Sequence, residues 1–567
     1  MLRITANKPW PILSTVEIRI LEKSLLDKLP KDNPSLMESA GLSLARLCLA
    51  IAPDAKIIWI ACGPGNNGGD GLIAAVELKK LGKNPYVTLL RRNSEKSTPT
   101  SSDNRERSFD HTDALQKALS NGIEINAVPP QKWDLAVDAL LGIGVEIDTG
   151  HEFLGDSGSS DTELKHSASA SASASASALP NASTTNQTRS IEGEMADWLY
   201  LIQQSPSPVI CADVPSGLNP ETGVMSVIKP SYKQVTKSVF NTNQIRYTLT
   251  FIGLKAGLFT HTGKDFSGEI WLESLTGDDT VETKLMSNKE FNLNFLPPVN
   301  KRMHDTHKGA YSDVVVIGGA NGMQGAAILA ATSALNMGAG RVYLCLLDPL
   351  PHSFRINPAL MTRDTNHIKS MELNSSTVVC GCGGGDSVKS WLNYLLQNSK
   401  QLVLDADAIN AIASDESLQE ILSKRTSLDM TTILTPHPLE AARLLKIKVQ
   451  NVQSNRIQVA KAIASKFKCL VVLKGAGTVI ASENKVNVHD TNSYKIRINP
   501  TGNALLSSAG TGDVLAGMIG SLWTQNKDHW ESACQAVFIH GKTADDWGSH
   551  RSFNAEYLSE EVTYPRI

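Results

Sequence analysis

Short apolar runs alternate with longer amphipathic stretches along most of this chain. Each apolar run spans about four to eight residues and is rich in Val, Ile and Leu, which is typical of strands buried on both faces of a parallel sheet. In the stretches between them, apolar residues recur at helical spacing. The alternation therefore predicts stacked βα units and an α/β fold with largely parallel sheets.

The predicted strands fall into two groups, because the alternation weakens and prolines appear over residues 276–300. A chain of 567 residues is long enough for several domains, so we predict two, 1–285 and 286–567. The predicted strands are 57–61, 85–90, 135–142, 209–214 and 247–253 in the first group, and 313–319, 341–347, 377–381, 402–408, 431–436 and 470–475 in the second.

One segment, residues 155–194, belongs to neither group. It contains a run of Ser-Ala repeats from Ser167 to Ala178, followed by a polar stretch. Alanine favours helix, but this segment has no apolar face to bury and no pairing of charges. We predict a disordered surface insertion, with an interaction tail as the alternative.

Composition narrows the functional class. Charged residues make up 20% of the chain and the formal net charge is −3, which argues against nucleic-acid binding. The sequence has no apolar run long enough to span a bilayer, and its N-terminus lacks a signal core, so we expect a cytoplasmic protein without a membrane partner. The 8 cysteines are scattered, and Cys380 and Cys382 are the one close pair, so we expect reduced core thiols.

The most informative motif is GPGNNGGDG, Gly63 to Gly71, which directly follows an apolar strand. We interpret it as a loop in which backbone amides approach an anionic ligand, with a helix beginning at Leu72. It lacks the spacing of the dinucleotide fingerprint. The alternative is a turn between strand and helix with no ligand.

Three further loops of the first half carry polar groups at predicted strand ends, where open α/β sheets bind ligands. They contain Asp138, the pair Asp213 and Ser216, and Lys255 near Thr250. A carboxylate beside a Pro-Ser-Gly turn suits acid/base chemistry, although Asp213 and Ser216 would also serve as helix caps or turn residues. Oxygens of Asn67, Asp138 and Ser216 are candidate ligands of a hard cation.

These motifs, with VDALLGIG, DVPSGL and TLTFIGLKAGL in this order, resemble the NAD(P)HX epimerase domain over residues 10–275. The resemblance implies a Rossmann-like βα sandwich that interconverts the R and S epimers of hydrated NADH or NADPH. Asp213 would be the acid/base group, and one potassium ion would be held by Asn67, Asp138 and Ser216. Ile143 departs from the family, which usually has Thr there. Substrate-binding residues implied by the resemblance are Asn66, Asn67, Gly68, Gly69, Asp70, Gly142, Ile143, Gly144, Val145, Glu146, Ile147, Asp148 and Asp213.

In the second half, Gly510-Thr511-Gly512-Asp513 precedes an apolar helix. Backbone amides at such a helix start cradle phosphate oxygens, and Asp513 is placed to take a proton from a substrate hydroxyl. The alternative for Asp513 is an N-capping role. Two other predicted strand ends carry Lys474 to Thr478 and His437, and a single His in a turn is more often structural. Asp405 and Asp407, two apart on one face of a predicted strand, form a candidate magnesium–water site.

This set resembles the ribokinase-like superfamily, and within it the ADP-dependent NAD(P)HX dehydratases, over residues 300–525. The resemblance implies that ADP phosphorylates the stray hydroxyl and that elimination restores NAD(P)H, releasing AMP and phosphate. It also implies Mg²⁺. Asp513 would be the base. The remaining contacts implied are Lys474, Gly475, Ala476, Gly477, Thr478 and Gly512 with the nucleotide, and Ala326, Gly383, His437 and Asp513 with the hydrated cofactor.

Two departures separate this half from the family pattern: Leu505 and Ala509 replace glycines, and Cys382 to Gly385 lacks the usual proline. A left-handed Ala509 would cost about 1 kcal/mol and would predict an active but slower dehydratase.

We therefore predict a fused, homo-oligomeric repair enzyme acting on NADHX and NADPHX, with no readable preference between them. The alternatives are a ribokinase-like small-molecule kinase with a non-catalytic dinucleotide-binding module, and a first half that only senses or holds a dinucleotide.

Overall fold

A computed structural model describes most of both halves of the chain. The predicted boundary near residue 285 and nearly all of the predicted insertion lie outside the described residues. The described residues are 1–27, 34–90, 110–143, 190–231, 241, 243–275, 290–297, 304–305, 307, 313–350, 356–484, 493–549 and 551–564.

The described strands form two large sheets and one small pair. In chain order, β1–β10 are Leu2–Arg3, Ile58–Cys62, Pro85–Leu89, Ile125–Asn126, Leu135–Ala139, Ser190–Glu192, Val209–Ala212, Val227–Lys229, Arg246–Phe251 and Glu269–Glu273. β11–β20 are Phe291–Leu293, Asp313–Gly318, Arg341–Leu346, Met361–Thr362, Ser376–Cys380, Gln401–Leu404, Thr431–Leu434, Leu470–Leu473, Val479–Glu483 and Tyr494–Ile498.

Helices follow most of the parallel strands, as the alternation predicts. In the first half, α1–α6 are Thr15–Leu26, Leu36–Ile51, Asn66–Lys80, His111–Ser120, Glu194–Gln204 and Gly263–Phe266. In the second half, α7–α17 are Gln324–Asn336, Thr365–Ser370, Lys389–Asn398, Ala406–Ser414, Glu416–Lys424, Pro438–Leu445, Val449–Ser454, Arg456–Phe467, Thr511–Asn526, His529–Asp545 and Ala555–Glu561.

The first sheet has the order β1-β10-β9-β7-β5-β2-β3-β4, and its described pairs are parallel except β1 with β10. The chain leaves β2 for β3 and β4 on one side and then returns to β5 on the other. The strand order therefore reverses between β2 and β5, and a crevice at such a reversal is where open α/β sheets bind ligands.

The second sheet repeats this plan. Its order is β11-β20-β19-β18-β17-β16-β15-β12-β13-β14, with antiparallel pairing among β18, β19 and β20. Here the chain passes from β12 to β13 and β14 and returns to β15 on the other side. The reversal between β12 and β15 creates a second crevice at the carboxyl edge.

Both sheets are buried on both faces. Along β12, Val315 and Ile317 join one apolar cluster, whereas Val314 and Val316 join another. Successive residues of a strand point to opposite faces, so near-continuous apolar strands need helices on both sides. The predicted α/β class is confirmed.

Two details of the sequence prediction are wrong. The strand predicted to continue to residue 408 ends at Leu404, because Ala406 (φ 45°) begins a helix. The predicted insertion also extends too far, since Ser190–Glu192 pairs with Val227–Lys229 and α5 begins at Glu194.

The two halves contact each other through backbone and apolar groups. Ile12 N–H donates to Phe291 O at 3.0 Å, and Leu293 N–H donates to Trp10 O at 2.8 Å. Side chains of both halves share one buried cluster, which includes Ile498. All eight cysteines are buried and free, as predicted. Within the described part of the chain, no helix is both long and apolar enough to cross a bilayer.

Candidate active sites

The reversal in the first sheet brings two predicted loops together. Ala61 of β2 pairs with Asp138 of β5, and Gly63 N–H donates to Ala139 O at 2.9 Å just beyond the strand ends. The glycine-rich motif and Asp138 therefore lie side by side at the carboxyl edge of the sheet.

The glycine-rich motif is not the loop that we predicted. Its residues from Asn66 onward form the first turns of α3, and its glycines all lie outside the left-handed region. They permit close packing instead: a β-carbon on Gly68 would lie 1.9 Å from Gly63 O, and one on Gly63 would lie 1.8 Å from Leu140 O. Helix α3 can thus begin directly against the strand ends, with Asn66 to Asp70 at the crevice.

The structure brings together the three residues predicted to hold a cation. Ser216 Oγ donates to Asp138 Oδ1 at 2.6 Å, and Ser216 N–H donates to Asp138 Oδ2 at 3.0 Å. Leu141 N–H donates to Ser216 Oγ at 2.8 Å. A β-carbon on the next residue, Gly142, would lie 3.4 Å from Asn67 Oδ1. Burial raises the pKa of Asp138, and Asn67 Nδ2 is buried without a hydrogen-bond partner among the described residues.

Asp213 forms a buried ion pair with Lys255. Lys255 Nζ donates to Asp213 Oδ1 at 2.5 Å, to Thr250 Oγ1 at 2.8 Å and to Phe251 O at 2.9 Å, so all three ammonium protons are used. Lys255 is 1% exposed. Burial lowers its pKa, and the neighbouring Asp213 opposes this shift. Asp213 itself lies in the left-handed region at φ 65°.

Two more carboxyl groups face this pair. Burial, Asp213 and Glu22 together raise the pKa of Asp70 well above its usual range. Burial and Asp213 also raise the pKa of Glu22, which lies on α1. Asp70 was predicted to contact substrate, but Glu22 was not predicted and Lys255 was given no role, because neither their partners nor their burial can be read from local sequence. The crevice therefore combines an ion pair with carboxyl groups that tend to retain protons.

Only part of the second predicted substrate segment can be placed. Gly142 and Ile143 follow β5, and Ile143 O accepts a hydrogen bond from Arg19 Nη2 at 3.3 Å. Gly144, Val145, Glu146, Ile147 and Asp148 lie outside the described residues.

The second crevice is lined by two glycine loops that hydrogen-bond to each other. Gly319 N–H donates to Cys382 O at 3.0 Å, and Ala320 N–H donates to Gly383 O at 2.7 Å. Gly383 has φ 56°, and a β-carbon there would lie 2.9 Å from Ala326 Cβ. The structure thus brings together Gly383 and Ala326, two residues predicted to contact the hydrated cofactor.

Asp513 lies in the first turn of α15, next to two buried groups. The sulfur of Cys382 and one carboxylate oxygen from each of Asp405 and Asp513 all lie within 4.8 Å of one another. Burial and Asp405 raise the pKa of Asp513 to about 6, although Lys474 opposes the shift. A β-carbon on Gly512 would lie 3.2 Å from Lys474 Nζ, so the two predicted nucleotide segments also meet here.

Lys474 is anchored by Asp405, which was predicted as a magnesium ligand and not as the partner of this lysine. Lys474 Nζ donates to Asp405 Oδ1 at 2.6 Å, and Thr435 Oγ1 donates to the same oxygen at 2.7 Å. Burial tends to lower the pKa of Lys474, but Asp405 and Glu440 overcome it and raise the value to about 12. Asp407 accepts from Gly385 N–H at 2.8 Å instead. The two carboxylates therefore do not share one face, because a helix begins between them.

His437 caps α12. Its Nδ1 accepts from Leu439 N–H at 3.0 Å and from Glu440 N–H at 3.3 Å, and Glu440 Oε2 accepts from His437 N–H at 2.8 Å. Burial and Lys474 lower its pKa, so the imidazole is neutral at pH 7. The structural role that we weighed is present, and a contact with substrate stays a prediction.

Comparisons with known proteins match both halves. A family model described as YjeF-related protein N-terminus matches residues 33–257, and one described as NAD(P)H-hydrate dehydratase matches residues 314–564. The bifunctional NAD(P)H-hydrate repair enzyme Nnr of Escherichia coli (strain K12) is 31% identical over 556 residues, covering 95% of this chain and 90% of that protein. The chain belongs to the family of bifunctional NAD(P)H-hydrate repair enzymes.

Separate relatives match the second half alone. The ADP-dependent (S)-NAD(P)H-hydrate dehydratase of Neisseria meningitidis serogroup B is 38% identical over 275 residues, covering 48% of this chain and 88% of that protein. A solved ADP/ATP-dependent NAD(P)H-hydrate dehydratase from Bacillus subtilis is 27% identical, with a TM-score of 0.36, covering 46% of this chain and 91% of that one. Neither of the two alternative functions accounts for a match along both halves of a bifunctional repair enzyme.

Ala509 and Leu505, which replace glycines of the family pattern, do not introduce the expected backbone strain. Ala509 is not in the left-handed region, and the left-handed residue is its neighbour Gly510 at φ 89°. Leu505 is 40% exposed and meets no crowding in the core. The expected cost at Ala509 is therefore absent, and with it the reason to expect a slower enzyme.

One residue beside this repair enzyme's second site comes from the next helix, α16. His540 Nε2 lies 2.9 Å from Thr511 O and donates to it, at the first turn that carries Gly512 and Asp513. Burial lowers the pKa of His540 to about 4, so the ring is neutral. No local sequence signal marks this residue, because its partner lies on another helix.

Proposed function

We propose that the first crevice epimerises (R)- and (S)-NAD(P)HX and that the second dehydrates (S)-NAD(P)HX at the expense of ADP. The observation that supports this most strongly is Asp513. It is a half-buried carboxyl group with a pKa of about 6 at a helix start, facing the Lys474–Asp405 ion pair. A base in that position and an amide-lined anion pocket are what phosphoryl transfer to a hydroxyl requires.

In the first crevice, Asp213 is the proposed acid/base group. Epimerisation at a carbon that carries both a hydroxyl and the ring nitrogen can proceed if the hydroxyl loses its proton while the C–N bond breaks to an aldehyde and the nitrogen is protonated. The reverse steps on the other face of the aldehyde then give the second epimer. The Lys255 ammonium donates to Asp213 Oδ1 at 2.5 Å and so fixes the orientation of this buried carboxyl group. Substrate contacts are proposed for Asn66 to Asp70 and for Gly142 to Asp148. A protonated Asp70 would act there as a hydrogen-bond donor.

We also propose one potassium ion per epimerase domain, held by Asn67, Asp138 and Ser216. The donors fit, since an amide oxygen, a carboxylate and a hydroxyl are the ligands that hard cations prefer. The anionic form of Asp138 is disfavoured by burial, which a bound cation would reverse. Asn67 Nδ2 has no partner among the described residues, which is consistent with the side chain being oriented by its oxygen.

In the second crevice, Lys474 to Thr478 and Gly512 are proposed to bind ADP. Asp513 takes the proton of the substrate hydroxyl. The oxygen of that hydroxyl attacks the terminal phosphorus of ADP, and AMP leaves. Phosphate then departs from carbon and a neighbouring ring proton is lost, which restores NAD(P)H. Asp405 would offer one carboxylate to a Mg²⁺ ion, which needs one or two such ligands, and the bound ion would neutralise charge on the ADP phosphates. Ala326, Gly383 and His437 are the proposed contacts of the hydrated cofactor.

The test uses full-length protein and a mixture of R and S hydrated NADH, with absorbance of NADH followed in ADP, in ATP and in neither. Complete conversion with ADP, faster than spontaneous epimerisation allows, with AMP and phosphate released, is the expected result. Conversion that stops once the S form is consumed would remove the epimerase. Formation of a stable phosphorylated product with ATP would replace the dehydratase by a kinase.

We further propose a division into domains near residue 285, a homo-oligomer and a cytoplasmic location. The strands of the first sheet end at Glu273 and those of the second begin at Phe291, which supports the division. Size-exclusion chromatography with light scattering tests the oligomeric state.

A further inference from the structure

Residues 259–264 of the first half pack directly on residues 474–478 of the second half, the loop that is proposed to bind nucleotide. His261 N–H donates to Ala476 O at 3.1 Å. A β-carbon on Gly477, which has φ 64°, would lie 2.1 Å from Phe259 O. The segment begins a few residues after Lys255, and it leaves no room for a side chain at Gly477.

The same segment supplies a cation to a second loop of the dehydratase half. Lys264 Nζ donates to Thr501 O at 3.0 Å and to Gly502 O at 2.5 Å. Burial lowers the pKa of Lys264, and the carboxylates of Asp545 and Asp265 oppose this. Asp545 Oδ2 also accepts from Gly502 N–H at 2.8 Å, so both polar groups of Gly502 are fixed.

The loop held by Lys264 leads to the helix start at Gly510 to Asp513, which carries the proposed base. Gly502 has φ 96°, and the chain runs from it through an exposed turn to Gly510 and Asp513. Thr501 Oγ1 donates to Phe538 O at 3.0 Å on α16, the helix that also carries His540. Without the Lys264 ammonium, the carbonyl groups of Thr501 and Gly502 would lose charge-assisted hydrogen bonds in a partly buried place. A looser loop must then be ordered when nucleotide binds, and that ordering weakens binding.

We propose that Lys264, although it belongs to the first half, is a positioning residue for nucleotide binding in the dehydratase half. This inference rests on the proposed assignment of Lys474 to Thr478 to ADP. We also expect arginine to replace Lys264 in part, because a guanidinium group can donate to both carbonyl oxygens.

The test compares full-length Lys264→Met, Lys264→Arg and Lys79→Met. Lys79 is the matched control, because its Nζ donates to a backbone carbonyl, that of Gly122 at 2.5 Å, within the first half alone. We expect Lys264→Met to raise the KM for ADP by about five- to tenfold, with kcat and the epimerase rate within about twofold of the parent. We expect Lys264→Arg to recover part of the loss and Lys79→Met to leave the KM unchanged.

Three outcomes would overturn the role of Lys264: an unchanged KM for ADP, a fall in kcat with unchanged KM, or loss of the epimerase activity in Lys264→Met. Lys474→Met separates this inference from the proposed function. If Lys474→Met leaves ADP binding intact by calorimetry, the nucleotide assignment itself is wrong. If Lys474→Met abolishes binding and Lys264→Met does not affect it, only the inference about Lys264 is wrong.

Discussion

The two crevices lie at equivalent points of two similar sheets, but they use a lysine differently. In the first, Lys255 pairs with the proposed acid/base carboxylate itself, Asp213. In the second, Lys474 pairs with the neighbouring Asp405, and Asp513 forms no ion pair with any residue that the structure describes. Burial and Asp405 raise the pKa of Asp513 to about 6. Lys255 thus orients the proposed acid/base group of one site, whereas Lys474 pairs elsewhere and leaves Asp513 as a proton acceptor near neutrality in the other.

Glycine also differs between the two sites. In the first, Gly63 and Gly68 have ordinary φ angles and allow a helix to begin against strand ends. In the second, Gly383, Gly385 and Gly510 have positive φ and shape loops that expose backbone groups. Close packing alone therefore accounts for Gly63 and Gly68 in the first site, whereas positive φ is an additional reason for Gly383, Gly385 and Gly510 in the second.

The largest expected effect separates the two activities within one chain. Asp513→Asn removes the proposed base, so kcat of the dehydratase should fall by roughly 10³-fold, within the range for loss of general base catalysis. The epimerase rate should stay within about twofold. Asp213→Asn should do the reverse, measured with pure (S)-NADHX for the dehydratase and by chromatography of the epimers. A loss of both activities in either variant would contradict independent sites.

The next prediction concerns the glycines of the first site. Gly68→Ala puts a carbon 1.9 Å from a backbone oxygen and should destabilise the first half by about 3 kcal/mol, or roughly 6–12 °C in its calorimetric transition. Gly65→Ala is the matched control, because a β-carbon there meets no atom within 4 Å and its φ is −117°. Equal shifts in the two variants would mean that close packing does not explain these glycines.

The pH dependence of the dehydratase follows from Asp513. A base must be unprotonated, and burial raises its pKa to about 6, so kcat/KM should be constant above that value and decline as pH falls through it. At pH 5 it should be about tenfold below the plateau. The epimerase rate in the same samples reports whether the protein is intact. A flat dehydratase profile from pH 5 to 8 would exclude Asp513 as the base.

Local sequence sufficed to locate most of the strands, because buried parallel strands are continuous apolar runs. It did not reveal which loops meet, since that depends on strand order. Lys255, Glu22 and His540 were missed or left without a role for this reason: each acts on a partner from another element. The start of α3 was misplaced because glycine disfavours helices locally, whereas close packing against Gly63 selects it here.

The smallest effect sharpens the contrast between the two uses of glycine. Gly322 and Gly325 both lie at the start of α7, and a β-carbon on either meets no atom within 4 Å. Gly322 has φ 78°, whereas Gly325 lies within the helix outside the left-handed region. Gly322→Ala should therefore cost about 1 kcal/mol through strain alone, and Gly325→Ala should stabilise by up to about 1 kcal/mol. The calorimetric transition of the second half should shift by roughly 2–4 °C in opposite directions. Shifts of the same sign would show that backbone conformation does not decide the effect of alanine at these two glycines.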